Sequence, residues 1–386
     1  MEATMTKIDL NNLDKSNWKS FPFEKIASKV SETVDPNKTE LTIYVGLEHI
    51  DAEDIHIRRF GLPTDVSGGK LKCYPGDVIF GKRRAYQRKA AIVDFEGICS
   101  AHAFVFRANP NVIDPKLFPF FLHSDQFMHR MVDISVGGLS PTINWSDLKH
   151  QEFLLPPKEE QAKLAELLWA MDDVIEREKE VLERINLNYW SLSKKIFSNN
   201  QVQKIEKFAD LISGSYGAEN GPEMIKVIGV SGIKDEGNLD FNKFNERFFN
   251  PKEKEKFKLK EGDLLMVKSS GSSTSILSGR TSIFLEQDAD YIVSNFCFRI
   301  RPIQKTHTMG IFHAINSVKS QTFLKRLATG STYPNLGVSD LKLLNIYLPY
   351  EIENKKLNDL FEAKKVIDAK IILSQSLQKS LINQVF

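Results

Sequence analysis

A chain of 386 residues has room for two domains, or three. Hydrophobic residues at 41% suffice for real cores, and 26% charged residues are ordinary for a soluble protein. A net charge of +2 excludes a globally basic nucleic-acid binder, so any such role must come from a local patch.

The first twenty residues, "MEATMTKIDLNNLDKSNWKS", lack an apolar core, so no secretory leader is expected. No later run approaches the ~18 apolar residues of a membrane span. Short runs with β-branched and aromatic bias then follow as predicted strands: "LTIYVGL", "DVIFG", "AAIVDF" and "AFVFR". A helical stretch is predicted over Asp114–Met131. Next comes "GGLSPTINWSDLKHQEFLLP", a turn-rich segment running into a strand and a proline. Pro156-Pro157 followed by Glu159-Glu160 starts a helix well, with proline in the first turn and acid at the positive end of the dipole. From there Leu164, Leu168, Met171, Ile175, Leu182, Ile185, Tyr189, Leu192 and Ile196 step by three, four or seven, broken only at Glu178. That is a coiled-coil seam, and Glu159 to Phe197 as helix would be about 58 Å long.

The chain then says the same things again. "YVGLEHI" is answered by "VIGVSGI", "YPGDVIFGK" by "KEGDLLMVK", and "CSAHAFVFR" by "VSNFCFRIR". "GGLSPTINWSDLKHQEFLLP" is answered by "TGSTYPNLGVSDLKLLNIYLP". A second helical stretch is predicted at Met309–Leu327, and Pro349 with Glu351 and Glu353 opens a second long helix. In it, Leu360, Ile367, Ser374 and Leu381 form one heptad row and Leu357, Ile371 and Val385 the other, with Lys364 and Gln378 as polar insertions. These four echoes, with the proline-led helix start as a fifth in the same order, indicate a tandem duplication of one unit, a β-rich globule followed by a long helix. The predicted class is mixed α+β, with the two helices lying antiparallel as a coiled coil and the globules at opposite ends of a rod. The competing arrangement packs each helix on its own globule as ordinary core. Gly76-Asp77 and Gly262-Asp263 are expected to be turns feeding buried strands.

Cys73, Cys99 and Cys297 are too few and too far apart for a disulfide framework or a CxxC metal site, and are expected to be reduced and buried. The eight histidines contain no HExxH and no i, i+4 pair, so they are expected to serve surface or packing roles. No Asn-Pro-Pro-aromatic methyltransferase motif, Walker A loop or GxGxxG is present.

The segment "LPPKEEQAKLAELLWAMDDVIE…SLSKKIF" resembles the central region of the specificity (S) subunits of type I restriction-modification enzymes. "YVGLEHI", "GDVIF" and "GGLSPTINWSDLKHQEFLLPP" resemble the target recognition domain around it, and the second half resembles another copy. The second copy departs from the pattern at "LPYEIENKKL", which lacks the second proline and has Asn354 where the first has Gln161. The resemblance implies target recognition domains over 1–157 and 199–349, a central helix over 158–198 and a C-terminal helix over 350–386. It implies a cytoplasmic, non-catalytic chain that reads a bipartite, asymmetric site on double-stranded DNA. Modification (methyltransferase) subunits, two of them, and restriction (motor-nuclease) subunits are the implied partners. S-adenosylmethionine and ATP with magnesium are then expected on those partners, and no cofactor or metal on this chain.

The residues offer three places for DNA contact. "FGKRRAYQRKA" holds Lys82, Arg83, Arg84, Arg88 and Lys89 with no acid, at the end of a predicted strand. Arginine there can chelate guanine or clamp phosphate, and Tyr86 can pack on a sugar or base. A solvated basic hairpin is the competing reading. The matching place in the second half is Ser/Gly-rich, with Lys268, Ser269, Ser270, Ser272, Ser273 and Arg280, chemistry suited to close phosphate or base approach; a linker-like loop is the alternative. Third, Ser140, Thr142 and Asn144, and likewise Thr332, Tyr333 and Asn335, sit on proline-stiffened turns before the last strand of each half. Asparagine can bond adenine bidentately, whereas the bland reading is a structural turn. The halves differ most in these loops and least in the helices, as a scaffold carrying two different readers should. Half-sites one turn apart, ~34–36 Å, are compatible with a rod of this length. A scaffold that organises protein partners without reading DNA is the rival function.

Overall fold

A computed structural model describes residues 15–234, 237–269, 271–272, 275–286, 290–328 and 334–386, the side chains of 271 and 272 excepted. The chain divides into two units, Met1–Glu180 with Asp368–Phe386, and Val181–Ile367. Each unit takes in one globule and part of each long helix.

In the first unit, β1 (Ala27–Val30), β2 (Val78–Gly81), β3 (Ala90–Ile92) and β4 (Ala103–Ala108) form an antiparallel sheet in the order β1-β4-β2-β3. The first long helix, α1 (Lys158–Phe197), follows. In the second unit, β5 (Ala209–Ser213), β6 (Leu264–Val267), β7 (Thr281–Ile283) and β8 (Cys297–Pro302) pair as β5-β8-β6-β7. The last helix is α2 (Glu351–Val385). The order is the same in both sheets, and so is the register: Gly81 faces Ala103 as Val267 faces Cys297. Each unit also has a parallel pair in a second sheet, Tyr44–Val45 beside Gly97–Cys99 and Glu223–Ile228 beside Tyr291–Val293. The duplication expected from the echoes is present at the level of strand pairing.

The turn before β2 and the turn before β6 are built alike. Gly76 and Gly262 both have φ +89°, a left-handed conformation that a Cβ disfavours. The carboxylates of Asp77 and Asp263 accept the N–H groups of Tyr74 (3.0 Å) and Lys260 (2.8 Å), closing each turn. Strands β2, β4 and β6 are buried on both faces, alternate residues entering different cores. In the first unit Phe23, Phe80, Phe106, Phe121, Phe127 and Phe153 are fully or almost fully buried. Cys73, Cys99 and Cys297 are free and buried.

Two expectations need correction. The helical stretches predicted at Asp114–Met131 and Met309–Leu327 are each broken in two: Phe118–His123 with Asp125–Asp133, and Thr308–Asn316 with Val318–Leu327. The break falls at a serine in both cases. Ser124 Oγ accepts the N–H of Phe127 (3.2 Å) and Ser317 Oγ that of Ser320 (3.3 Å), so each serine starts a new helix. The second correction concerns the helix seam. Leu164 and Leu168 of α1 share one core with Leu381, Ile382 and Val385 of α2 and with globule residues such as Phe121 and Phe153. In the second unit Ile196 and Phe197 of α1 meet Leu357 and Phe361 of α2 and Ile311, Phe312 and Leu344 of the globule. The apolar stripe is wide enough to serve the partner helix and the globule together, so the two arrangements posed as rivals coexist.

The helices do pair, and antiparallel. Ser374 Oγ donates to Glu178 Oε2 (3.0 Å), and Gln378 Nε2 donates to the carbonyl of Leu168 (3.2 Å). A later residue of α1 thus meets an earlier residue of α2. The break in the first stripe, Glu178, is matched to the polar member of the second, Ser374. Ile175 and Ile371 are buried and Met171 half-buried in the first unit. Leu182, Ile185, Leu192, Leu360 and Ile367 are half-buried in the second. In the second unit the two helices are also joined through His313. Tyr189 Oη donates to its Nδ1 (2.8 Å), and its Nε2 donates to Asn358 Oδ1 (2.7 Å). Among the described residues, no helix is long and apolar enough to cross a membrane.

Candidate nucleic-acid interface

Strand β2 ends at Gly81, and the chain then enters the basic segment. Here two loops distant in sequence come together. The N–H of Ile143 donates to the carbonyl of Lys82 (2.9 Å), and the N–H of Arg84 donates to the carbonyl of Pro141 (2.7 Å). Arg83 and Thr142 face each other as a bridge, and Arg84 Nε donates to Ser140 Oγ (3.2 Å). The two candidate reading segments of the first unit are therefore one surface.

The five cations of the segment separate into two groups. Arg84 and Arg88 both have left-handed backbone, φ +57° and +52°, flanking a single 3₁₀ turn at Ala85–Gln87. Non-glycine residues there carry a strain of about 1–2 kcal/mol each. Buried Ala85 pins the turn, and Arg83, Arg84 and Tyr86 project outward. Arg88 turns inward, its Nε 2.7 Å from Glu53 and its Nη2 on Asp125. Lys89 Nζ donates to the carbonyl of Leu47. Lys82 is half-buried with its ammonium 5.2 Å from the Phe104 ring centroid, and burial pushes its pKa down. The outward chemistry is thus arginine and tyrosine.

The turn that meets this segment is a small hairpin. Val136 and Thr142 exchange both backbone hydrogen bonds, at 3.0 and 2.9 Å. Leu139 stands at its tip, 98% exposed. In the sequence it is an apolar residue in a turn whose Gly, Ser, Thr, Pro and Asn residues carry the pattern. Thr142 Oγ1 donates to the Ser140 carbonyl (3.2 Å). Asn144 is exposed, its amide donating to Asp147 Oδ2 (3.1 Å).

The second unit repeats the junction with other residues. The N–H of Leu336 donates to the carbonyl of Lys268 (3.0 Å), the counterpart of Ile143 on Lys82. Ser269 bridges to Asn335, whose side chain is exposed. Lys268 Nζ donates to Ser213 Oγ (3.3 Å). Arg280 is half-buried, its carbonyl accepting from the N–H of Val267 (2.8 Å). Ser272 pairs with Ser275 in a two-rung hairpin. Ser270, Ser273, Thr332 and Tyr333 lie outside the described residues.

The two units are one design executed twice: a four-stranded sheet whose second strand runs into a polar loop clasped by a turn from farther along the chain. The model of the type I restriction modification DNA specificity domain matches residues 68–187 and 194–363, and the chain belongs to that family. The EcoDI type I restriction enzyme specificity subunit of Escherichia coli is 28% identical over 219 residues, 55% of this chain and 49% of that protein. The chain thus spans about half the length of that curated relative. The solved S subunit of a type I restriction-modification system from M. genitalium matches with a TM-score of 0.60 at 12% identity, over 96% of each chain. A chain from a structure of type I R-M complex assembly and conformational transition matches at 0.56 and 17% identity, over 95% of this chain and 97% of that one. At those identities the two structures speak for the fold.

Proposed function

We propose that this chain is the DNA-reading subunit of a type I restriction-modification complex. The globules over 1–157 and 199–349 each read one part of a bipartite, asymmetric target on double-stranded DNA. The helices over 158–198 and 350–386 hold them and carry two modification subunits, to which restriction subunits add. The chain itself is non-catalytic and works in the cytoplasm; the methyl donor and the ATP with magnesium belong to the partners.

The observation that carries this reading is the repeated clasp, Ile143 on Lys82 and Leu336 on Lys268. A constant frame holds different chemistry in its two copies. Arg83, Arg84 and Tyr86 face outward in one, suited to guanine edges and phosphates; Ser269 and Asn335 occupy the other, suited to adenine and backbone. Different readers on equal frames give unlike half-sites.

The test is binding of a target duplex by the chain assembled with its modification subunits, as a function of salt. Arg83→Ala with Arg84→Ala should weaken binding and reduce the slope of log K against log salt by about 1 for each arginine that meets a phosphate. A protein-organising scaffold would bind DNA no differently after the change.

A further inference from the structure

Beside each clasp lies a second matching turn. In the first unit the N–H of His102 donates to Ser100 Oγ (3.2 Å); in the second the N–H of Phe296 donates to Ser294 Oγ (3.3 Å). The N–H of Ala103 returns to the carbonyl of Ser100 (3.0 Å), and that of Cys297 to the carbonyl of Ser294 (2.9 Å). Each serine N–H in turn donates to the neighbouring strand, Ser100 to Val45 (3.0 Å) and Ser294 to Ile228 (2.9 Å). Both serines are buried, so the turn belongs to the frame.

The residue two places after the serine is a different matter. His102 is exposed, and Phe296 is 50% exposed. Both adjoin the reading loop. Ala103 pairs with Gly81, the residue before Lys82, and Cys297 pairs with Val267, the residue before Lys268. The carbonyl of Phe296 accepts the N–H groups of Lys268 (2.8 Å) and Ser269 (3.2 Å). A single exposed apolar residue needs no explanation. Here one backbone position, fixed by the same hydrogen bonds in both units, sits against the loop and presents an imidazole in one and a phenyl ring in the other. Constant backbone under an unlike side chain is what a reading position requires.

We propose that this turn position is a further base-contacting element of each unit, filled by His102 in the first and by Phe296 in the second; this rests on the DNA-reading function above. The phenyl ring of Phe296 packs on the 5-methyl group of a thymine in the major groove, where apolar contact distinguishes that base. His102 makes a polar contact to a base edge, which an imidazole can do as donor or acceptor.

The experiment uses the chain with its modification subunits and a duplex carrying the methylated motif. Each thymine is replaced in turn by deoxyuridine, which removes only the methyl group. Wild type should lose about fourfold in affinity at one thymine in the half-site of the second unit. Phe296→Ala should bind the two duplexes equally. In parallel, His102→Phe and Phe296→His should each change the methylated motif at one position, in the half-site of their own unit. Both side chains are exposed, so the variants should melt as wild type does. An equal response at every thymine in wild type and Phe296→Ala, or motifs unchanged by the exchanges, overturns the proposal. If Arg83→Ala with Arg84→Ala still weakens binding in that event, the DNA-reading function stands without this position; if it does not, both fail.

Discussion

Arg107 closes on the buried carboxylate of Asp77 with Nε and Nη2 at 2.7 and 2.9 Å, and Arg301 repeats the grip on Asp263 at 2.7 and 2.7 Å. The pairing ties β4 to the turn before β2, and β8 to the turn before β6. It is the frame on which each candidate DNA-contacting loop is mounted. Each aspartate is 1% exposed, so its charge is compensated by the arginine and by the turn N–H it accepts. Arg107→Ala, which leaves the buried Asp77 carboxylate without its charge partner, should destabilise the first unit by roughly 3 kcal/mol, and Arg301→Ala the second by a similar amount. Urea unfolding followed by circular dichroism measures this; a loss below 1 kcal/mol would mean that the pair is dispensable.

The start of α1 and the start of α2 differ in quality. Gln161 is buried and fully used. Its Oε1 accepts the N–H of Asp114 (2.7 Å), and its Nε2 donates to the carbonyls of Val112 (3.0 Å) and Pro156 (2.8 Å). Asn354, at the matching place, is one methylene shorter, and its buried Oδ1 has no protein hydrogen-bond partner among the described residues. Asn354→Gln should therefore stabilise the second unit by about 1 kcal/mol, and Gln161→Asn should weaken the first by more than that. Thermal melts of the two variants decide the matter, and shifts in the same direction would contradict it.

Burial holds both His123 and His313 neutral, each with a pKa pushed down to about 4. In the unfolded chain each would titrate near 6.5. Below that pH the unfolded state takes up protons that the native state refuses. Stability present above pH ~6.5 is therefore lost as pH falls toward 4, by about 1.4 kcal/mol per pH unit for each histidine. His313→Gln should unfold at lower urea than wild type at neutral pH but lose less on acidification. Parallel curves for the two proteins across that range would be inconsistent with a neutral His313.

His56 behaves oppositely. Its Nε2 lies 2.7 Å from Asp172 Oδ2 on α1, and that hydrogen bond raises its pKa against the opposing effect of burial. A raised native pKa adds stability that is complete below the unfolded value and is lost as pH rises through the native one. The stability difference between wild type and His56→Gln should thus be largest near pH 6 and shrink by pH 9. A difference that grows with pH would contradict the assignment.

Much of this was legible in the sequence for a physical reason. A duplicated frame repeats its turn glycines, its buried aspartates and its strand lengths, so "PGDVIF" and "EGDLLM" announced the same turn. Glu178 was visible as a break in the first stripe and Ser374 as a member of a heptad row in the second, although their hydrogen bond to one another was not. The rest depended on contacts far apart along the chain. Arg83, Arg84, Arg88 and Lys89 look alike in a row; only two left-handed residues and the remote carboxylates of Glu53 and Asp125 separate the outward pair from the inward one. His313 carried no local pattern, because its partners Tyr189 and Asn358 lie on two other helices. The helix breaks at Ser124 and Ser317 hid inside apolar runs whose periodicity continues across them.

The most direct test is sequencing of methylated DNA from a host making this chain together with modification and restriction subunits. A two-part motif with unlike halves is predicted for the wild type, and Arg83→Ala with Arg84→Ala should relax one half and leave the other intact. A host genome without a defined methylated motif, or a motif untouched by the double substitution, would contradict the account.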